Sequence, residues 1–128
     1  MILRVIVASQ ERRLRARIGR LLASEEVLLK PEPSLYKLLQ GPQPPTCDVI
    51  VATATQSDPD PSEVLDGALT LPERPDVICL TSDLDRSGEA LLLEAGASAV
   101  VSLDLEDDEL AGALLSLLDR RRGLAVGM

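Results

Sequence analysis

Two runs of this sequence share one pattern, an aspartate, four apolar residues and a threonine. They are Asp48-Val49-Ile50-Val51-Ala52-Thr53 and Asp76-Val77-Ile78-Cys79-Leu80-Thr81. Apolar runs of this length, free of Pro and Gly, suit strands buried on both faces of a parallel sheet. In such sheets the working chemistry gathers at the carboxyl ends of the strands. The residues placed there are Thr53 and Thr81, with Ser9-Gln10 following a first strand-like, β-branched stretch at residues 2–8. Hydroxyls and an amide donate and accept hydrogen bonds, but they bring no charge to hold a divalent cation. A purely structural role is open for the same residues: Ser9 as a helix N-cap, Thr53 and Thr81 as β-formers at strand ends. The chain has no histidine, which excludes His-based triads, His metal sites and phosphohistidine donation. Cys47 and Cys79 match neither a disulfide framework nor a metal-ligand spacing, and read as small core residues.

The elements that must position these residues follow from periodicity. After the first strand, Ser9 is placed as N-cap and Glu11 in the first turn of a helix. Its inner face is Leu14, Ile18, Leu21 and Leu22, and Arg13, Arg17 and Arg20 share a solvated face. Val27-Leu28-Leu29 makes a short strand closed by Pro31 and Pro33, and a short helix is expected over Ser34–Leu39. Gly41-Pro42-Gln43-Pro44-Pro45 breaks the chain before the run at 48–53. A polar loop, Ala54–Pro59, leads to a helix capped by Asp60, with Pro61 at its first position, running to about Thr70. After the run at 76–81, a helix over Arg86–Ala95 stops at Gly96. Ser98–Ser102 is the last strand. The final helix opens on Glu106-Asp107-Asp108-Glu109, closes on Arg120-Arg121-Arg122, and faces the core with Leu110, Leu114, Leu117 and Leu118. Strand and helix alternate about five times, which with right-handed crossovers gives an α/β, doubly wound five-stranded parallel sheet with helices on both faces, flavodoxin-like.

The 128 residues suit one domain, 1–128, in which about 119–128 form the end of the last helix and a tail that could begin a linker to an output domain. The net charge is −8, yet residues 1–30 hold seven basic and three acidic side chains. The acidic remainder argues against direct nucleic-acid binding by this domain. No stretch approaches the roughly 20 apolar residues of a membrane span, and the start lacks a signal-peptide pattern, so a cytoplasmic location is expected. Tyr36 is the only aromatic, and no glycine follows the first strand, which counts against a flavin- or nucleotide-type small-ligand site, the alternative on this fold.

Arg4 to Glu11, Gly96 to Val101, and Leu103-Asp104 followed by Asp107-Asp108-Glu109-Leu110 carry a resemblance that spans roughly residues 2–122. The chain resembles the receiver domain of bacterial response regulators, particularly those ahead of a LuxR-type helix-turn-helix domain. The resemblance implies an acidic pair at Ser9 and Gln10, a phosphoacceptor aspartate at Thr53, a hydroxyl at Thr81, a lysine at Leu103 and a switch aromatic at Val100. Only Thr81 matches. An acyl phosphate forms only on a carboxylate, Mg²⁺ wants anionic oxygens, and a leucine cannot neutralise a phosphoryl dianion. The resemblance therefore implies a non-phosphorylatable pseudo-receiver, with no enzymatic activity, cofactor or metal, acting through protein–protein contacts in two-component or transcriptional signalling. The expected partner is another protein, an output domain or a second copy of the chain. Leu93, Leu105 and Leu115 are the expected interface. Leu91, Leu92 and Leu93 cannot all face the core, and Leu103 is placed either in the core or with the interface.

Overall fold

The structure of the chain, a computed structural model, describes residues 2–23, 26–32, 46–53, 61–82 and 86–126. In chain order these form β1 (Leu3–Ala8), α1 (Arg12–Leu22), β2 (Val27–Glu32), β3 (Val49–Thr53), α2 (Pro61–Leu69), β4 (Asp76–Thr81), α3 (Arg86–Glu94), β5 (Ala99–Ser102) and α4 (Asp107–Val126). The strands form one parallel sheet in the order β2-β1-β3-β4-β5. This is the expected doubly wound architecture. The expected helix at Ser34–Leu39, the loop Ala54–Pro59 and the cap Asp60 lie outside the described residues.

Alternation along the strands builds two core layers, because successive side chains leave opposite faces of a strand. Val5, Val7, Val49, Val51, Ile78 and Leu80 enter one layer with Ile18 and Leu22 of α1 and Leu110, Leu114 and Leu118 of α4. Ile6, Ala8, Ile50, Ala52, Val77 and Cys79 enter the other with Leu65 of α2 and Leu92 of α3. All five residues of β3 are buried, as a central strand covered on both faces requires.

Four expectations need correction. Ser9 is not the N-cap of α1: Glu11 holds that place, its carbonyl accepting the Leu14 and Arg15 N–H groups, both at 3.1 Å. Ser9 Oγ instead accepts the Glu11 N–H at 3.1 Å, a turn that directs the chain into the helix. β2 does not stop before Pro31 but continues to Glu32. It is an edge strand, where a proline's missing N–H leaves one side of the ladder intact. Of Arg13, Arg17 and Arg20 on the outer face of α1, Arg13 and Arg20 are exposed as expected, but Arg17 is engaged rather than solvated, as described below. The last helix does not close on Arg120-Arg121-Arg122 but runs a further turn to Val126. Its arginines therefore reach sideways. Arg121 pairs with Asp76 at 3.8 Å, and Arg122 donates to the Glu26 carbonyl at 3.1 Å and to Asp119 at 2.9 Å.

Gly96 ends α3 for a local reason. Ala97 N–H donates to the Leu92 carbonyl at 3.0 Å and Gly96 N–H to that of Leu93 at 3.1 Å, the paired bonds of a Schellman stop. Gly96 has φ +117, and a Cβ there would stand 2.7 Å from Leu69 Cδ1.

Candidate functional site

The aspartates of the two matching runs stand at the amino edge of the sheet, away from the threonines. At about 3.3 Å per residue, a six-residue run separates its two ends by about 16 Å. Asp48 accepts the Arg4 backbone N–H at 2.8 Å and pairs with its guanidinium at 3.3 Å, and Arg4 also reaches Glu73 at 2.6 Å. Partial burial tends to raise the Asp48 pKa, but the hydrogen bonds and charge of Arg4 outweigh it and hold the carboxyl below its ordinary value. Asp76 accepts from Ser98 Oγ at 3.2 Å and faces Arg121. Both carboxylates thus serve to lock strand starts to their neighbours.

The carboxyl edge is different. Ser9, Thr53 and Thr81, exposed by only 2%, 6% and 3%, are the buried polar residues among those described. Ala8 registers with Ala52 and Thr53 with Leu80, so Ser9 and Thr53 close adjacent strands at one level and Thr81 stands one residue further along β4. Burying three hydroxyls at one sheet edge is unfavourable unless each is hydrogen-bonded, which makes this edge the polar centre of an otherwise apolar interior. Gln10 is exposed beside it.

Leu103 does not join this group. Its N–H continues the ladder by donating to the Thr81 carbonyl at 2.7 Å, but its side chain is buried in the core layer of α1 and α4. Of its two expected places, it occupies the core. Leu105 is half-buried and packs on the same layer, so little of it is offered outward. Val100 is half-buried against the opposite layer. Leu91, Leu93 and Leu115 are exposed by 66%, 44% and 41%, while Leu92 is buried.

Arg17 is a contributor that periodicity alone did not reveal. Its guanidinium donates to the carbonyls of Leu103 at 3.1 Å and Leu105 at 2.8 Å, and to Asp107 at 2.8 Å, with Arg20 adding a 3.3 Å contact to Asp107. These bonds hold the turn between β5 and α4 beside the three hydroxyls. Hydrogen bonding from Arg17 holds the Asp107 carboxyl below its ordinary value. Arg15 likewise donates to the Ser9 carbonyl at 2.6 Å. One of five arginines on α1, Arg17 gives no sign in the sequence of partners 86 to 90 positions away.

The chemistry available is hydrogen bonding. Cys79, two residues before Thr81, is free and buried, and burial pushes its thiol up to about 11. Burial, with the charges of Glu73 and Asp48, pushes Cys47 to about 11 as well. Both stay protonated near neutrality and supply no thiolate nucleophile. Among the described residues no group of three or more His, Cys, Asp or Glu is placed to hold a metal, and no helix is long and apolar enough to cross a membrane.

No protein-family model matches the sequence, and no curated protein matches it either. Solved structures do match the fold. A signal receiver domain from Vibrio parahaemolyticus is 17% identical with a TM-score of 0.81, covering 100% of both chains. The signal receiver domain of an HD domain-containing protein from Pseudomonas fluorescens Pf-5 is 20% identical with a TM-score of 0.75, covering 96% of this chain and 99% of that one. The response regulator DrrB of Thermotoga maritima, an OmpR/PhoB homolog, is 18% identical with a TM-score of 0.77, and the match covers 94% of this chain but 54% of DrrB. With its strand order, two helical layers and buried strand-end hydroxyls, the chain has the fold of response regulator receiver domains.

Proposed function

We propose that residues 1–128 form a receiver-type signalling module that takes up no phosphoryl group and acts by protein contact in two-component or transcriptional signalling. The observation that carries this reading is the set of side chains at the carboxyl edge of the sheet. Ser9, Thr53 and Thr81 bring buried hydroxyls, Gln10 an amide, and Leu103 turns into the core. An acyl phosphate needs a carboxylate at the position of Thr53, and its Mg²⁺ needs anionic oxygens that hydroxyls do not replace. Titration with Mg²⁺ and beryllofluoride, followed by amide NMR, is the test. The amides of Ser9, Thr53 and Thr81 should show no saturable shift up to about 10 mM Mg²⁺. Saturation there below a millimolar would overturn the reading.

Contact is assigned to the surroundings of β5, the edge strand flanked by α3 and α4. Leu93 on α3 and Leu115 on α4 are exposed on the two helices that flank it, and the occupant is a second copy of the chain. One exposed leucine is ordinary, but exposed leucines on both helices beside an edge strand supply apolar surface that gains by being covered. Wild-type protein should sediment as a dimer at about 100 μM, and Leu115→Glu as a folded monomer. A wild-type monomer at that concentration rejects self-association.

A further inference from the structure

A groove of about 390 Å³ runs between α1 and the edge strand β2. Its floor is Val7, Leu29 and Pro31, its helical wall is Ala16 and Gly19, and Arg12 and Arg15 stand beside it. The volume lies within the range of binding clefts, but the trough is open and would cover only one side of an occupant. A small molecule gains too little from one-sided cover, whereas an extended peptide gains along its length.

Charge selects the kind of peptide. The chain carries −8 overall, yet this groove is bordered by two guanidiniums from its basic opening segment. Arg12 is exposed and makes no ion pair or hydrogen bond among the described residues, and Arg15 commits one N–H to the Ser9 carbonyl, leaving the rest of its fork to offer. Arginine forks match carboxylates in geometry as well as charge. Gly19 adds a steric observation: nothing lies within 4 Å of where its Cβ would stand. A glycine inside a helix costs about 0.8–1 kcal/mol relative to alanine, and the space left open here is groove.

We infer that this groove docks an acidic peptide segment of a partner protein. An apolar side chain lies between Gly19 and Leu29, and adjacent carboxylates pair with Arg12 and Arg15. The assignment is independent of the strand-end chemistry, since a silent or an active phosphoacceptor site leaves the groove unchanged.

The probe is a fluorescein-labelled peptide of alternating leucine and glutamate, titrated into the whole chain at low salt and followed by anisotropy and amide NMR. Saturable binding with shifts at Ala16, Gly19 and Leu29 is expected. Gly19→Leu, which fills the groove without meeting another atom within 4 Å of its Cβ, should weaken binding about tenfold or more, as should Arg12→Glu. A melting temperature at or above wild type for Gly19→Leu, which removes a helix-interior glycine, and one close to wild type for Arg12→Glu show that both variants remain folded. Equal affinity for the Gly19→Leu variant overturns the proposal, as does equal binding of a leucine–lysine peptide. Absence of peptide binding at about 1 mM also overturns it. Binding of decanoate but not of the peptide would give the groove to a small amphiphile and likewise reject a peptide partner.

Discussion

The variant Ser9→Asp, Gln10→Asp, Thr53→Asp and Leu103→Lys should melt about 10 °C or more below wild type in EDTA and recover much of that loss when Mg²⁺ is added. Ser9 and Thr53 are almost wholly buried at adjacent strand ends, so two carboxylates there lose hydration and repel each other, with a third on exposed Gln10 beside them. A penalty of about 3 kcal/mol or more is the scale for uncompensated buried charge. Mg²⁺ at about one hundred times its dissociation constant returns about 2.7 kcal/mol by mass action. Leu103→Lys carries its own cost, because the wild-type side chain is part of the core and the lysine must turn out of it. The triple variant that keeps Leu103 separates this cost from the carboxylate repulsion. Differential scanning fluorimetry with and without Mg²⁺ reads the result. Equal melting temperatures in EDTA and Mg²⁺ would show that these positions do not converge on one site.

Two adjacent residues of the last helix should respond very differently to truncation. Leu114 is 0% exposed and Leu115 41%. Leu114→Ala removes buried methyl groups and leaves a cavity in the layer shared by α1, α4 and the sheet, at a cost of about 3 kcal/mol. For a domain of this size that lowers the melting temperature by about 10 °C. Leu115→Ala should stay within about 0.5 kcal/mol of wild type at concentrations where the chain is monomeric. Urea denaturation of the two variants decides the matter. Similar losses in both would mean that the helix is rotated about its axis relative to the sheet.

What could be read from residues alone was whatever depends on neighbours close in sequence. The runs at 48–53 and 76–81 are strands because β-branched residues without Pro or Gly favour a pleated, doubly covered surface. Leu14, Ile18, Leu21 and Leu22 share a helical face by spacing, and Gly96 stops α3 through bonds within six residues. Burial at the strand ends also followed, since central strands of a doubly wound sheet are covered on both sides. Local reading failed wherever a distant part of the chain competes for the same group. Pro31 looked like a strand breaker, but only sheet order shows that β2 is an edge with a side that needs no donor. Asp48 and Asp76 open their runs with no partner legible nearby, and Arg4 and Arg121 claim them at the amino edge. Arg17 looked solvated until the turn after β5 arrived beneath it. Leu103 had two plausible places, and the packing of α1 and α4 over the sheet chose the core. The groove at Gly19 is space between a helix and a strand, and its shape exists only once the two are packed together. Periodicity and turn chemistry act over a few residues, whereas ion pairs, cavities and edge positions depend on which surfaces the folded sheet brings into contact.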